Sequence, residues 1–128
     1  MGGATSSYAT LAATLAGCGD GALDGAEMRA ALSGNSAQGL TADQQPYTVF
    51  FAPSGMIHME VANGYVDRGR WWITANDQYC RSWSRIDGGQ EACFAVSRAG
   101  DELTFARGES RLVVTLVTGN PEQLPKIR

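Results

Sequence analysis

The chain has 128 residues, 44% of them apolar, and a formal net charge of -3. That length supports one domain burying about two thirds of its unfolded surface, and the apolar fraction excludes a disordered chain. No basic run supplies phosphate contacts, so nucleic acid is excluded as a partner, and no stretch approaches the ~20 apolar residues of a membrane helix.

The expected organisation is a leader or tail over residues 1–22 followed by a single domain over 23–128. Within the leader, Leu15-Ala16-Gly17-Cys18 resembles the lipobox of bacterial lipoproteins, although the first eighteen residues carry no Lys or Arg. Two readings stand side by side: a flexible tail with a chance cysteine, or a trimmed leader in which Cys18 bears the lipid. Membrane attachment is expected only through Cys18.

The acidic "GDGALDGAE" segment does not make a calcium loop. Counted from Asp20, position three is Ala22 and the glutamate comes too early. It leads instead into a helix over 24–33, in which Asp24 caps, Glu27 completes a capping box and Gly34 stops the chain.

From Ser36 onward the pattern changes to short runs rich in Val, Ile, Thr and aromatics. Strands are predicted at 36–41, 47–52, 56–62, 66–74, 78–86, 91–97, 102–106 and 110–117. Every connector contains Gly, Pro, Asn or Asp, the residues of tight turns, and none is long enough for a parallel crossover. The strands therefore form an antiparallel meander. Closure removes its edges, so the predicted fold is all-β: an up-and-down barrel of about eight strands resembling a lipocalin or calycin, with the helix at one end. An open β-sandwich is the alternative.

Alternation along each strand divides its residues between two faces. On 56–62, Ile57, Met59 and Val61 make the core list, opposite Met56, His58 and Glu60. On 66–74, Trp71 and Ile73 oppose Arg70, Trp72 and Thr74. On 78–86 neither list is plainly core: Tyr79, Arg81, Trp83 and Arg85 oppose Cys80, Ser82, Ser84 and Ile86. If Trp83 faces inward, both arginines go with it. A buried guanidinium must then be paired or hold an anion. The ligand-binding candidates are accordingly Tyr79, Arg81, Trp83 and Arg85. The competing reading is a solvated outer face with arginine stacked on Trp83.

His58 is the only histidine, which leaves no zinc pattern, and no G-x-S-x-G nominates a nucleophilic serine. No metal and no cofactor is expected. His58 and Glu60 are the catalytic candidates, as an acid–base pair on one strand face. The competing reading is the polar face of a half-buried strand.

Three cysteines leave one odd. Cys80 and Cys93 form the natural pair, as a disulfide, a redox pair or free thiols, and the twelve residues between them exclude C-x-x-C chemistry. Symmetric pairing about Asp87-Gly88-Gly89-Gln90 would set Cys93 opposite Ser84, so a disulfide requires a shifted register or a bulge.

The segments "ALSGNS", "YTVFFAPSG", "GRWWI", "YCRSW", "EACFAV" and "GNPEQL", in this order, resemble small exported bacterial proteins, mainly alphaproteobacterial, of uncharacterised function. The resemblance implies export and a paired cysteine and supplies no activity; a likeness to periplasmic lysozyme inhibitors is one of architecture alone. The expected protein is a periplasmic or secreted barrel binding a protein partner or a small ligand, the ligand being anionic if Arg81 faces it. The alternatives are a cofactor-independent isomerase, cyclase or lyase, with His58 and Glu60 moving protons and Arg81 anchoring the substrate, and a purely structural module.

Overall fold

The computed structural model describes residues 21–125, and Cys18 lies outside them. Eight strands follow one short helix and close into an antiparallel barrel in sequence order. Helix α1 spans Gly25–Leu32. The strands are β1 (Ser36–Leu40), β2 (Pro46–Phe51), β3 (Met56–Val61), β4 (Val66–Ile73), β5 (Tyr79–Trp83), β6 (Glu91–Ala99), β7 (Glu102–Arg107) and β8 (Ser110–Val117). Antiparallel pairing of β1 with β8 makes the closure, with Ala37 opposite Leu116. The open sandwich is thereby set aside.

The capping box forms as the sequence dictates. Asp24 Oδ1 accepts from the Glu27 amide at 2.8 Å, and Glu27 Oε1 accepts from the Asp24 amide at 2.9 Å. Each bond satisfies an amide that the first helical turn leaves without a partner. Met28 and Leu32 on one face of α1 are wholly buried in the same core cluster as Phe51, Ile57 and Ile73. The helix is tied to the β4–β5 turn by the Gly25 amide, which donates to Asp77 at 2.8 Å. It is thus fastened at the barrel end that carries that turn.

The interior follows from alternation. Val49 and Phe51 of β2, Ile57 of β3, Trp71 and Ile73 of β4, and Leu103 and Phe105 of β7 are buried and belong to one core. At ~25 cal/mol per Å² of apolar surface, burial of such side chains contributes about 2 kcal/mol each. Inside, aromatic rings meet edge to face, as in Tyr79 against Phe105 with centroids 5.1 Å apart.

The β5–β6 connection departs from a tight hairpin about the two glycines. Strand β5 stops at Trp83, and residues 84–90 form a longer connection containing a 3-10 turn at Ile86–Gly89. Pairing is therefore symmetric about Ile86 and Asp87, which sets Cys80 directly opposite Cys93 and Tyr79 opposite Phe94. The two cysteines form a disulfide. The register problem posed by the sequence disappears because the connection extends three residues farther on the β5 side than the Asp-Gly-Gly-Gln motif suggests.

Two features hold this arrangement. A Cβ on Gly69 would stand 2.0 Å from the Ser82 carbonyl oxygen, so the close approach of β4 to β5 requires glycine there. The buried Asp67 carboxylate accepts from the amides of Arg68, Arg85 and Ile86 at 2.8, 3.1 and 3.0 Å. That fastens the start of the connection to the rim of the barrel.

Candidate functional site

The barrel interior is not filled completely. An apolar lumen of about 200 Å³ runs between β2, β5 and β8, with Tyr47, Tyr79, Arg81, Trp83, Phe94 and Leu112 on its wall. Ile86, carried by the 84–90 connection, also reaches this lumen, so the connection bends back over the barrel rather than out into solvent.

Arg81 decides the character of the site. It shares the inward face of β5 with Tyr79 and Trp83, and its side chain is only 13% exposed. The guanidinium pairs with Asp87 at 2.7 Å, donates to the Gln90 carbonyl at 3.3 Å and lies 5.6 Å from the centre of the Phe94 ring. Asp87 is 55% exposed on the connecting loop and has a positive φ of 56°, as do the two glycines that follow it at 63° and 80°. A largely buried cation is thus neutralised by an acid that belongs to the loop and not to the core.

Outside Arg81 the lumen adjoins a wider and more polar depression of about 570 Å³, which shares Arg81, Phe94 and Leu112 with it and adds Glu91 and Arg107. Apolar walls thus meet a guanidinium at their rim, with Asp87, Glu91 and Arg107 around the depression outside it.

The two tyrosines of the lumen titrate abnormally. Burial pushes the Tyr79 phenol far above its ordinary range; the nearby Arg81 cation acts in the opposite direction, and Tyr47 adds to the rise. Burial alone raises Tyr47. Tyr47 occupies space that a side chain at residue 39 would take, since a Cβ on Gly39 would lie 2.9 Å from the Tyr47 hydroxyl.

His58 and Glu60 lie elsewhere. They occupy the outer face of β3, with His58 opposite Arg68 of β4 and Phe50 of β2. Together with Arg68, Asp67, Arg85 and Leu124 they border a groove of about 340 Å³. His58 Nδ1 is buried without a hydrogen-bond partner among the described residues. Burial, and then the Arg68 cation, hold the imidazole below its ordinary pKa. Because His58 and Glu60 face outward while Arg81 faces the lumen, the expected combination of an acid–base pair with an Arg81 anchor does not assemble.

Arg85 also leaves its expected place. It lies beyond the end of β5, so strand alternation no longer governs it. Its guanidinium covers the Tyr65 ring at 4.8 Å, donates to the Val66 carbonyl and approaches Asp67 at 4.0 Å. The lumen candidates from the sequence reduce to Tyr79, Arg81 and Trp83. Those missed are Tyr47, Asp87, Phe94 and Arg107. Tyr47 was within reach of the alternation Tyr47, Val49, Phe51, whereas Asp87 meets Arg81 only because the connection folds back.

Among the described residues, no group of His, Cys, Asp and Glu could hold a metal ion, and no helix is long and apolar enough to cross a membrane. Comparison of the chain with protein-family models, curated proteins and solved structures finds no match. The resemblance to exported bacterial proteins therefore gains no support in family or origin, and the barrel architecture is what stands.

Proposed function

We propose that this protein is an exported barrel whose lumen binds a small amphipathic anion, with Arg81 as the anchor for the acid. The observation that carries the reading is the Arg81 guanidinium, largely buried at the rim of an apolar cavity and neutralised by a loop carboxylate. A fixed core partner would make the arginine structural. A half-exposed loop partner can be exchanged for the acid of a ligand. The size of the lumen supports a small occupant: a cavity of ~150 Å³ in another protein takes up benzene, and drug-sized pockets begin at about 300 Å³. A short acyl chain or a single aromatic ring fits that interval.

Export is supported by the disulfide, since such bonds persist in oxidising compartments. Periplasm and extracellular space both satisfy it.

The test is calorimetric titration with octanoate and with octanol, which share a chain and differ in charge. Octanoate is expected to bind more tightly, and Arg81→Met to remove that preference while the fold, followed by circular dichroism, persists. Equal affinities in the unaltered protein would refute the anion reading.

A further inference from the structure

The lumen holds an arrangement that anchoring by Arg81 alone does not explain. Tyr47 and Tyr79 stand on β2 and β5, both line the cavity, and neither hydroxyl has a hydrogen-bond partner among the described residues. Buried tyrosines ordinarily find a partner for their hydroxyl, because a desolvated donor left without an acceptor is costly. Neither hydroxyl counts among the buried side-chain atoms that lack a partner, so each keeps access to the space of the lumen, where the acceptor of a ligand can reach it.

The three polar groups form one cluster. Tyr79 and Arg81 are two residues apart on the same face of β5. Arg81 and Tyr47 both stand close enough to Tyr79 to act on its phenol, and all three side chains line the one cavity. The remaining walls, including Val49, Ile57, Phe105 and Val114, are apolar. Gly39 contributes by omission, since a side chain there would collide with the Tyr47 hydroxyl.

We propose that Tyr47 and Tyr79 act with Arg81 as a single receptor for the head group, and that the ligand is a carboxylic acid whose carboxylate sits inside the lumen between the two phenols and the guanidinium. A carboxylate has two oxygens with about four acceptor sites and no donor, which suits a site whose three groups can all donate to it. The charge-assisted bonds it would accept are stronger than those of an alcohol in the same place. Asp87 occupies the Arg81 donors while the lumen carries no acid, and the arriving carboxylate takes over that role. This inference rests on the lumen reading above and deepens it.

The experiment uses octanoate and octanol as probes on the full chain, with Tyr47→Phe, Tyr79→Phe and Arg81→Met. Each tyrosine substitution removes one hydroxyl and keeps the ring, and urea unfolding checks that stability is retained. Octanoate affinity is expected to fall about tenfold or more in each phenylalanine variant, with octanol affinity changing less than about threefold. If both phenylalanine variants keep octanoate within about twofold while Arg81→Met loses it, the phenols are not part of the receptor and the lumen reading stands without them. Failure of octanoate to bind the unaltered protein overturns both.

Discussion

Removal of the Cys80–Cys93 bond is expected to lower stability by about 3 kcal/mol. The perturbation is the double substitution Cys80→Ala with Cys93→Ala, which deletes the cross-link and leaves no free thiol in β5 or β6. The bond joins residues separated by 13 positions, so it closes a loop of that order in the unfolded chain. The chain-entropy relation then gives about 10 cal/mol/K, or about 3 kcal/mol at 25 °C. Cys80 is wholly buried, and loss of its sulfur adds to that figure. For a domain of this size each kcal/mol displaces the melting temperature by about 4 °C, which predicts a fall of about 12 °C. The assay is thermal unfolding followed by far-ultraviolet circular dichroism, with the unaltered protein melted beside the double variant. A fall below about 3 °C would refute the reasoning, for it would mean that the β5–β6 hairpin already restrains the unfolded chain and that the bond closes nothing further.

Leu103→Ala, at a wholly buried position in β7, is expected to cost about 3 kcal/mol in urea unfolding. Gly69→Ala forces a Cβ against the Ser82 carbonyl and should destabilise by about 3 kcal/mol or more, with loss of amide protection along β4 and β5 measured by hydrogen exchange. Because the folded Tyr79 phenol is raised above its unfolded value, the stability it confers is complete below pH 10 and is lost as pH rises through the folded value. Tyr79→Phe is therefore expected to flatten the decline in urea midpoint above pH 10. His58 is depressed in the fold, so its contribution is complete above the unfolded value of 6.5 and is lost as pH falls through the folded one. Denaturation midpoints of His58→Gln at pH 5 and pH 7.5 should differ less than those of the unaltered protein.

The sequence by itself determined the architecture, because its instructions are local. Asp24 and Glu27 specify the helix start through a capping box within four residues. Short Gly- and Asn-containing turns force consecutive strands to pair antiparallel, and the eight observed strands begin and end within a few residues of their expected limits. On β3 one-sided burial made alternation decisive, so Ile57 and Met59 were legible as interior and His58 and Glu60 as exterior.

Only tertiary structure decided what β5 does. Tyr79, Cys80 and Trp83 are all buried, since Cys80 is covered on the outer face opposite Cys93 as Tyr79 is covered in the lumen. A strand buried on both faces loses the period-two contrast that names its inner side. The shifted pairing with β6, the early end of β5 and the displacement of Arg85 all depend on contacts from Asp67 and Gly69 on β4, far along the chain. The meeting of Arg81 with Asp87 follows from that same shift. The separation of His58 from Arg81 is a matter of which side of a closed wall each faces, and a wall acquires an inside only when β8 reaches β1.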